Sequence, residues 1–194
     1  MDEKALTCCF TGHRPQSLPW GTREDDPRCA ELKTELAARL EAVYEMGWRH
    51  FLCGMALGCD TYFAEAVLAL REKHPDVTLE AVIPCGSQPE RWQSAQRQRY
   101  NSLLDGSDRV TVLQIRYTPD CMQKRNRYMV DHASLLLACY NGQRGKQHKY
   151  FFYFFYPAHL FLISILCNDS STSSIKRMMS WLDGRWNFVP AIAV

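Results

Sequence analysis

Phe51-Leu52-Cys53-Gly54-Met55-Ala56-Leu57-Gly58-Cys59-Asp60 carries an apolar, β-like run through a two-glycine turn into a helical pattern. A glycine at such a handover lets the backbone approach a ligand and aim amide hydrogens at an anion. The helix that follows brings about half a unit of positive charge to its start. Cys8-Cys9-Phe10-Thr11-Gly12-His13-Arg14-Pro15 repeats the arrangement nearer the N-terminus, again directly after an apolar run. Two such turns on neighbouring strands predict a phosphate-binding edge.

Working outward, the same cycle recurs along the chain. Ala5 to Phe10 reads as a first strand, and Asp26-Pro27 as a helix start, with aspartate as cap and proline in the first helical position. Leu32, Leu36, Leu40 and Val43 fall on one helical face, and Gly47 is the expected stop. Trp48 to Cys53, Val77 to Ile83, Arg109 to Ile115 and Ser134 to Tyr140 read as further strands. The intervening helices are expected at Thr61 to Lys73, from Pro89-Glu90 to the Asp105-Gly106 break, and at Asp120 to Asp131. This alternation predicts an α/β fold with three layers: a mostly parallel sheet of five or more strands and helices on both faces. Ligands in such folds sit beyond the carboxyl ends of the strands. Thr11 to Pro15, Gly54 to Asp60, Pro84 to Gly86, Tyr117 to Pro119 and Asn141-Gly142 are expected to gather there.

Composition narrows the function classes. A net charge of +2 over 194 residues gives no bulk signature of a nucleic-acid or membrane surface, so any basic footprint has to be local. Nine cysteines, an odd number without a CxxC pair, argue against a disulfide scaffold and against a structural zinc site. Met1-Asp2-Glu3-Lys4 is charged and the apolar stretch after it is short, which predicts no secretory leader and a reducing, cytoplasmic setting. No metal or cofactor is expected.

The glycine turn is neither the G-x-G-x-x-G dinucleotide fingerprint nor a P-loop, which needs a lysine followed by serine or threonine. Asp60 is expected to cap the following helix, leaving the amides around Gly54, Met55, Ala56 and Gly58 for a phosphate. The pattern equally fits a tight turn with a capping aspartate and no ligand. Gly12 permits close approach beside Arg14, whose guanidinium offers forked donors, and His13 has the chemistry of an acid or base. Gln123-Lys124-Arg125-Asn126-Arg127-Tyr128 is a basic, amide-bearing turn that fits nucleotide phosphates or a short single strand, or simply a solvated helix face. Glu65 is the nearest candidate general base, and an exposed helical glutamate is the plainer account of it. No complete catalytic set is visible.

Taken together, Phe10 to Pro15, Gly54 to Asp60, Ile83-Pro84-Cys85, Gln123 to Asp131 and Leu137 to Gly142 resemble the YpsA-like branch of the SLOG superfamily over residues 5–143. That superfamily joins the DNA-processing protein DprA, also called Smf, with the Lonely Guy phosphoribohydrolases. The resemblance implies a Rossmann-like domain that binds a nucleotide, a nucleotide derivative or nucleic acid at its glycine turns. The ligand-binding residues it implies are Gly12, His13, Arg14, Gly54, Met55, Ala56, Gly58, Asp60, Arg125, Asn126, Asn141 and Gly142. The P-G-G-x-G-T-x-x-E block of the Lonely Guy enzymes has no match here, which favours a sensor or regulator over a nucleoside-phosphate hydrolase. Single-stranded nucleic-acid binding of the DprA kind stands as the other alternative, and a homo-oligomer is compatible with all three.

After Gln143 the pattern departs from that family. Residues 1–143 are expected to form the domain, and 144–194 a divergent, aromatic-rich tail that either rebuilds the last helix and strand or is a frameshifted end. Its apolar block, Tyr150 to Leu166, contains Pro157, His159 and Ser164 and falls short of the ~20 apolar residues of a membrane span, which argues against a membrane anchor.

Overall fold

The computed structural model describes residues 3–140 and 161–166, with side chains from 4 to 139. Asn141, Gly142 and most of the tail, together with the expectations attached to them, lie outside the described residues. Six strands form one sheet: β1 (Thr7–Gly12), β2 (His50–Cys53), β3 (Thr78–Ile83), β4 (Arg109–Val112), β5 (Leu135–Tyr140) and β6 (Phe161–Leu166). Their order is β4-β3-β2-β1-β5-β6, and every neighbouring pair is parallel. Four helices connect them: α1 (Pro27–Glu45), α2 (Cys59–Lys73), α3 (Ser94–Gly106) and α4 (Cys121–Asp131).

Strands β1, β2, β3 and β5 read as near-continuous apolar runs because both faces of the sheet are covered there. Alternate residues divide between two cores. Cys8, Phe10, Phe51, Leu79, Ala81 and Leu137 pack with α1, α2 and α3, and the Phe10 and Phe63 rings stack with centroids 4.3 Å apart. Cys9, Leu52, Val82, Leu136 and Ala138 face the other way, against Met129 and Val130 of α4. Crossovers from β1 through β4 step in one direction, so right-handed connections put α1 to α3 on one face. The connection from β4 to β5 steps back past β1, so α4 lies on the other. The strand order therefore reverses between β1 and β5, the position at which folds of this class open a crevice at the carboxyl edge.

Helix α1 follows its expected signals. Asp26 caps it through the Arg28 amide at 3.0 Å, Pro27 opens it, and its buried stripe is Cys29, Leu32, Leu36, Leu40 and Val43. The chain leaves the helix through Gly47, at φ +111°. Helix α3 departs from expectation, beginning at Ser94 rather than at Pro89-Glu90. Residues 85–92 instead form successive turns (Gln88 N–H to Cys85 C=O, Glu90 to Ser87, Trp92 to Pro89). The helix starts only where Gln93 and Gln96 cap each other reciprocally. Strand β1 begins at Thr7, after a short 3-10 turn at Glu3–Leu6.

Two expected outcomes follow from this packing. Leu36→Ala lowers the unfolding free energy by about 2–5 kcal/mol and Asp26→Ala by about 1 kcal/mol, both read from denaturant midpoints. Burial pushes the Cys8 and Cys53 thiols well up and Cys9 up to about 12. These three thiols are expected to resist an aqueous thiol reagent at neutral pH until the chain unfolds.

Candidate functional site

The carboxyl edge is held together by bonds between the loops that leave the strands. The Cys59 amide donates to the His13 carbonyl at 3.0 Å, joining the loop after β1 to the glycine turn after β2. Gln88, in the loop after β3, donates from its side-chain amide to Met55 C=O at 2.7 Å. The Gly86 amide donates to Gln114 C=O at 3.1 Å, joining the loops after β3 and β4.

Gly58 sits at φ +92°, a conformation that side chains rarely adopt, and a Cβ there would lie 2.7 Å from His13 O and 3.0 Å from Pro15 Cδ. Its glycine identity is thus set by the approach of the neighbouring loop. Met55 adopts φ +52°, left-handed for a residue with a side chain, and that side chain is buried. Gly12 ends β1 against Cys59, which a side chain at position 12 would strike. Beneath it Cys59 and Cys139 bring their sulfurs within 3.4 Å.

The main organiser is a buried ion pair that links the two helix layers. Arg125, on α4, turns inward and donates from Nη1 to Gly54 C=O at 2.8 Å, standing 3.7 Å from Asp60 Oδ2. Any side chain on Gly54 would run into this guanidinium. Asp60 is not the cap of α2: Gly58 holds the N-cap position, and Asp60 is the second residue of the helix, reaching back to accept the Ala56 amide at 3.1 Å. Burial pushes the Asp60 carboxyl above its usual range, against the pull of Arg125, the Ala56 amide and Arg14. Burial likewise lowers the Arg125 guanidinium, opposed by Asp60. Desolvation dominates on both partners, which makes this a pair that fixes geometry at a cost.

These bonds redistribute the amides that the sequence assigns to a phosphate. Ala56 donates to Asp60, and the Met55 amide faces the Cys53 sulfur. Among the described residues, no acceptor meets the amides of Leu57 and Gly58. Arg14 is exposed beside them, with one weak contact, to Met122 Sδ at 3.8 Å. His13 is buried, and Asn126 accepts from Arg125 Nε at 2.9 Å.

The rest of the basic turn does not form a cationic row. Lys124 pairs with Asp120 at 3.0 Å and Arg127 with Asp131 at 3.9 Å. Tyr128 donates to Glu80 at 3.0 Å and stacks on His132. Glu65 is committed as well: Arg99 binds it at 2.5 and 2.8 Å while also binding Glu24, a brace between α2, α3 and the segment before α1. It therefore loses its candidacy as a general base. Gln88 escaped sequence reasoning, because nothing in its local spacing marks it beyond its place after a strand.

Fold and edge together define a Rossmann-like α/β protein with its loop constellation at the strand-order reversal. The chain belongs to the YpsA family, the YspA SLOG family, whose model matches residues 8–155. It is 30% identical over 142 residues to a UPF0398 protein of Bacillus pumilus, covering 72% of this chain and 76% of that one. It is 28% identical over 133 residues to the uncharacterized SPbeta prophage-derived protein YoqJ of Bacillus subtilis, covering 62% and 78%. Among solved structures, DNA processing protein A from Helicobacter pylori aligns with a TM-score of 0.57 at 12% identity, over 97% of this chain and 77% of that one. Among the described residues, no helix is long and apolar enough to cross a membrane.

Arg125→Ala leaves Asp60 buried without its counter-charge and is expected to cost about 3–5 kcal/mol. Gly54→Ala is expected to destabilise the native background and to be far milder in Arg125→Ala, where the obstructing guanidinium is gone. Denaturant titration of the four forms should give a coupling of about 1–3 kcal/mol, and additive effects would contradict the contact.

Proposed function

We propose that the chain binds a nucleotide or nucleotide derivative through its phosphate at the carboxyl edge between β1 and β2, next to the reversal at β5, and acts as a sensor or regulator. The observation that carries this reading is the pair of amides, Leu57 and Gly58, that meet no acceptor among the described residues, beside an exposed Arg14 at the start of α2. Backbone N–H groups, a helix N-terminus and a guanidinium together suit a compact anion. Asp60 and Arg125 act as positioning residues, keeping the turn in shape. In this reading the protein works in a reducing, cytoplasmic setting.

A second reading, binding of single-stranded nucleic acid, draws support from the fold shared with the Helicobacter pylori protein, whose structure concerns single-stranded DNA binding. The carboxylate partners of Lys124 and Arg127 weigh against an extended phosphate track on α4.

Calorimetric titration with a nucleoside monophosphate, the matching nucleoside and inorganic phosphate separates these readings. The monophosphate is expected to bind more tightly than the nucleoside, and Arg14→Ala to weaken it about tenfold, as loss of a charged hydrogen bond does. Equal binding of nucleotide and nucleoside, or an indifferent Arg14→Ala, would count against the proposal. An oligonucleotide bound in preference, with affinity falling steeply in salt, would establish the second reading instead.

A further inference from the structure

All eight cysteines among the described residues are buried free thiols. Cys8 and Cys9, adjacent in sequence, point to opposite faces of β1, and Cys8 Sγ donates to Cys9 C=O at 3.7 Å. Cys53 Sγ donates to Asp60 C=O at 3.2 Å, and Cys85 is shared between the Ser87 hydroxyl, 3.5 Å away, and Cys121. Cys59 and Cys139 bring sulfur to sulfur at 3.4 Å, from positions 80 residues apart in the chain. The sheet builds this meeting. Cys139 lies on β5 directly beside Gly12 of β1, and α2 sets Cys59, its first residue, against that glycine. Cys59 can sit there only because Gly12 has no side chain: a Cβ at position 12 would lie 2.4 Å from Cys59 Cβ. Neighbouring strands run about 4.8 Å apart, so a residue seated on Gly12 is within reach of the thiol on the next strand. Joining the two sulfurs takes about 1.4 Å of travel, shared between two side chains.

We propose that Cys59 and Cys139 are a redox-active pair, which hydrogen peroxide converts into a reversible disulfide that fastens the start of α2 to β5 beneath the glycine turn. In the first step the Cys59 sulfur attacks one peroxide oxygen and the O–O bond breaks. The other oxygen leaves as water with the thiol proton, and Cys59 becomes a sulfenic acid. In the second step the Cys139 sulfur attacks Cys59, the S–O bond breaks, and the hydroxyl leaves as water with the Cys139 proton. Two thiols are oxidised and one peroxide is reduced to two waters. Cys59 takes the first step because the opening turn of α2 surrounds it with amide dipoles that favour a thiolate. Exposures of 0% and 2% restrict the co-reactant to a peroxide-sized oxidant. It enters when the loop after β1 lifts, breaking the 3.0 Å bond from the Cys59 amide to the His13 carbonyl. The disulfide fixes the residue that follows Leu57 and Gly58, so oxidation alters the setting of the carboxyl edge. In a reducing compartment such a bond is transient and reports the oxidant, whereas a permanent staple would not. The proposal stands independently of what that edge binds.

Peroxide treatment of the full, folded chain tests it, followed by alkylation of the remaining thiols in denaturant and non-reducing peptide mapping by mass spectrometry. Circular dichroism before and after treatment establishes that the chain is folded when it reacts. The wild type is expected to lose two thiols and to yield one linked peptide pair within a single chain, Cys59 with Cys139, lighter by two hydrogens and reopened by reduced glutathione. Cys139→Ser is expected to carry added oxygen on Cys59 in place of the link, and Cys59→Ser to form no link. Links confined to other cysteines, such as Cys85 with Cys121, or links between two chains overturn the proposal. An unchanged thiol content in the folded chain overturns it too, as does oxygen added to wild-type Cys59 without a link, or a link that reduced glutathione cannot open. If a serine variant fails to fold, the wild-type map decides, since it needs no substitution.

Discussion

One guanidinium spans the carboxyl edge of the sheet and ties the two helix layers together. Arg125 leaves α4 on one face and meets Gly54 and Asp60, which belong to the connection on the other. Taking both charges out of water is unfavourable, and their attraction returns that cost only when geometry and hydrogen bonds are good. Here the carboxylate also accepts the Ala56 amide and the guanidinium also serves the Gly54 carbonyl and Asn126. The glycine turn consequently has little freedom, and Gly54 is a glycine because Arg125 occupies the space a side chain would need.

From that constraint follows the division of labour along the turn. Its first half, Gly54 to Ala56, is bonded internally to Arg125, Gln88 and Asp60, and it carries the left-handed Met55. Backbone held in such a sparsely populated region persists where its surroundings over-determine it, often beside a ligand site. The second half, Leu57 and Gly58, lies against the loop after β1, and among the described residues no acceptor meets its amides. In the proposed reading, the rigid half holds the second half in place for an anion, so that little ordering is left to occur on binding.

The fold was legible in the sequence wherever the signal was local. Asp26-Pro27 and Gly47 mark the ends of α1 because capping and positive φ are properties of single residues, and the inner strands β1, β2, β3 and β5 appear as apolar runs because both of their faces are buried. The start of α3 was misread because its cap is a pair of glutamines, a weaker signature than the Pro89-Glu90 that precedes it. At the site, the two turns and their shared edge were legible, but the role of Asp60 was not. Spacing suggests a cap, while its true partners are an amide behind it and an arginine far along the chain. The same holds for Glu65, which Arg99 binds, while Lys124 and Arg127 are partly offset by exposed, weak pairs with Asp120 and Asp131. Basic residues on a helix announce charge, and only the tertiary structure says whether that charge is already met.

The claim that a phosphate is held by the second half of the glycine turn is tested most directly by amide chemical shifts in a titration with a nucleoside monophosphate. The account predicts that the largest, saturable changes fall on Leu57, Gly58 and the first turn of α2, with Arg14 following and Ala56 nearly still because Asp60 already holds it. Changes centred on another edge of the sheet, or none at saturating ligand, would contradict it.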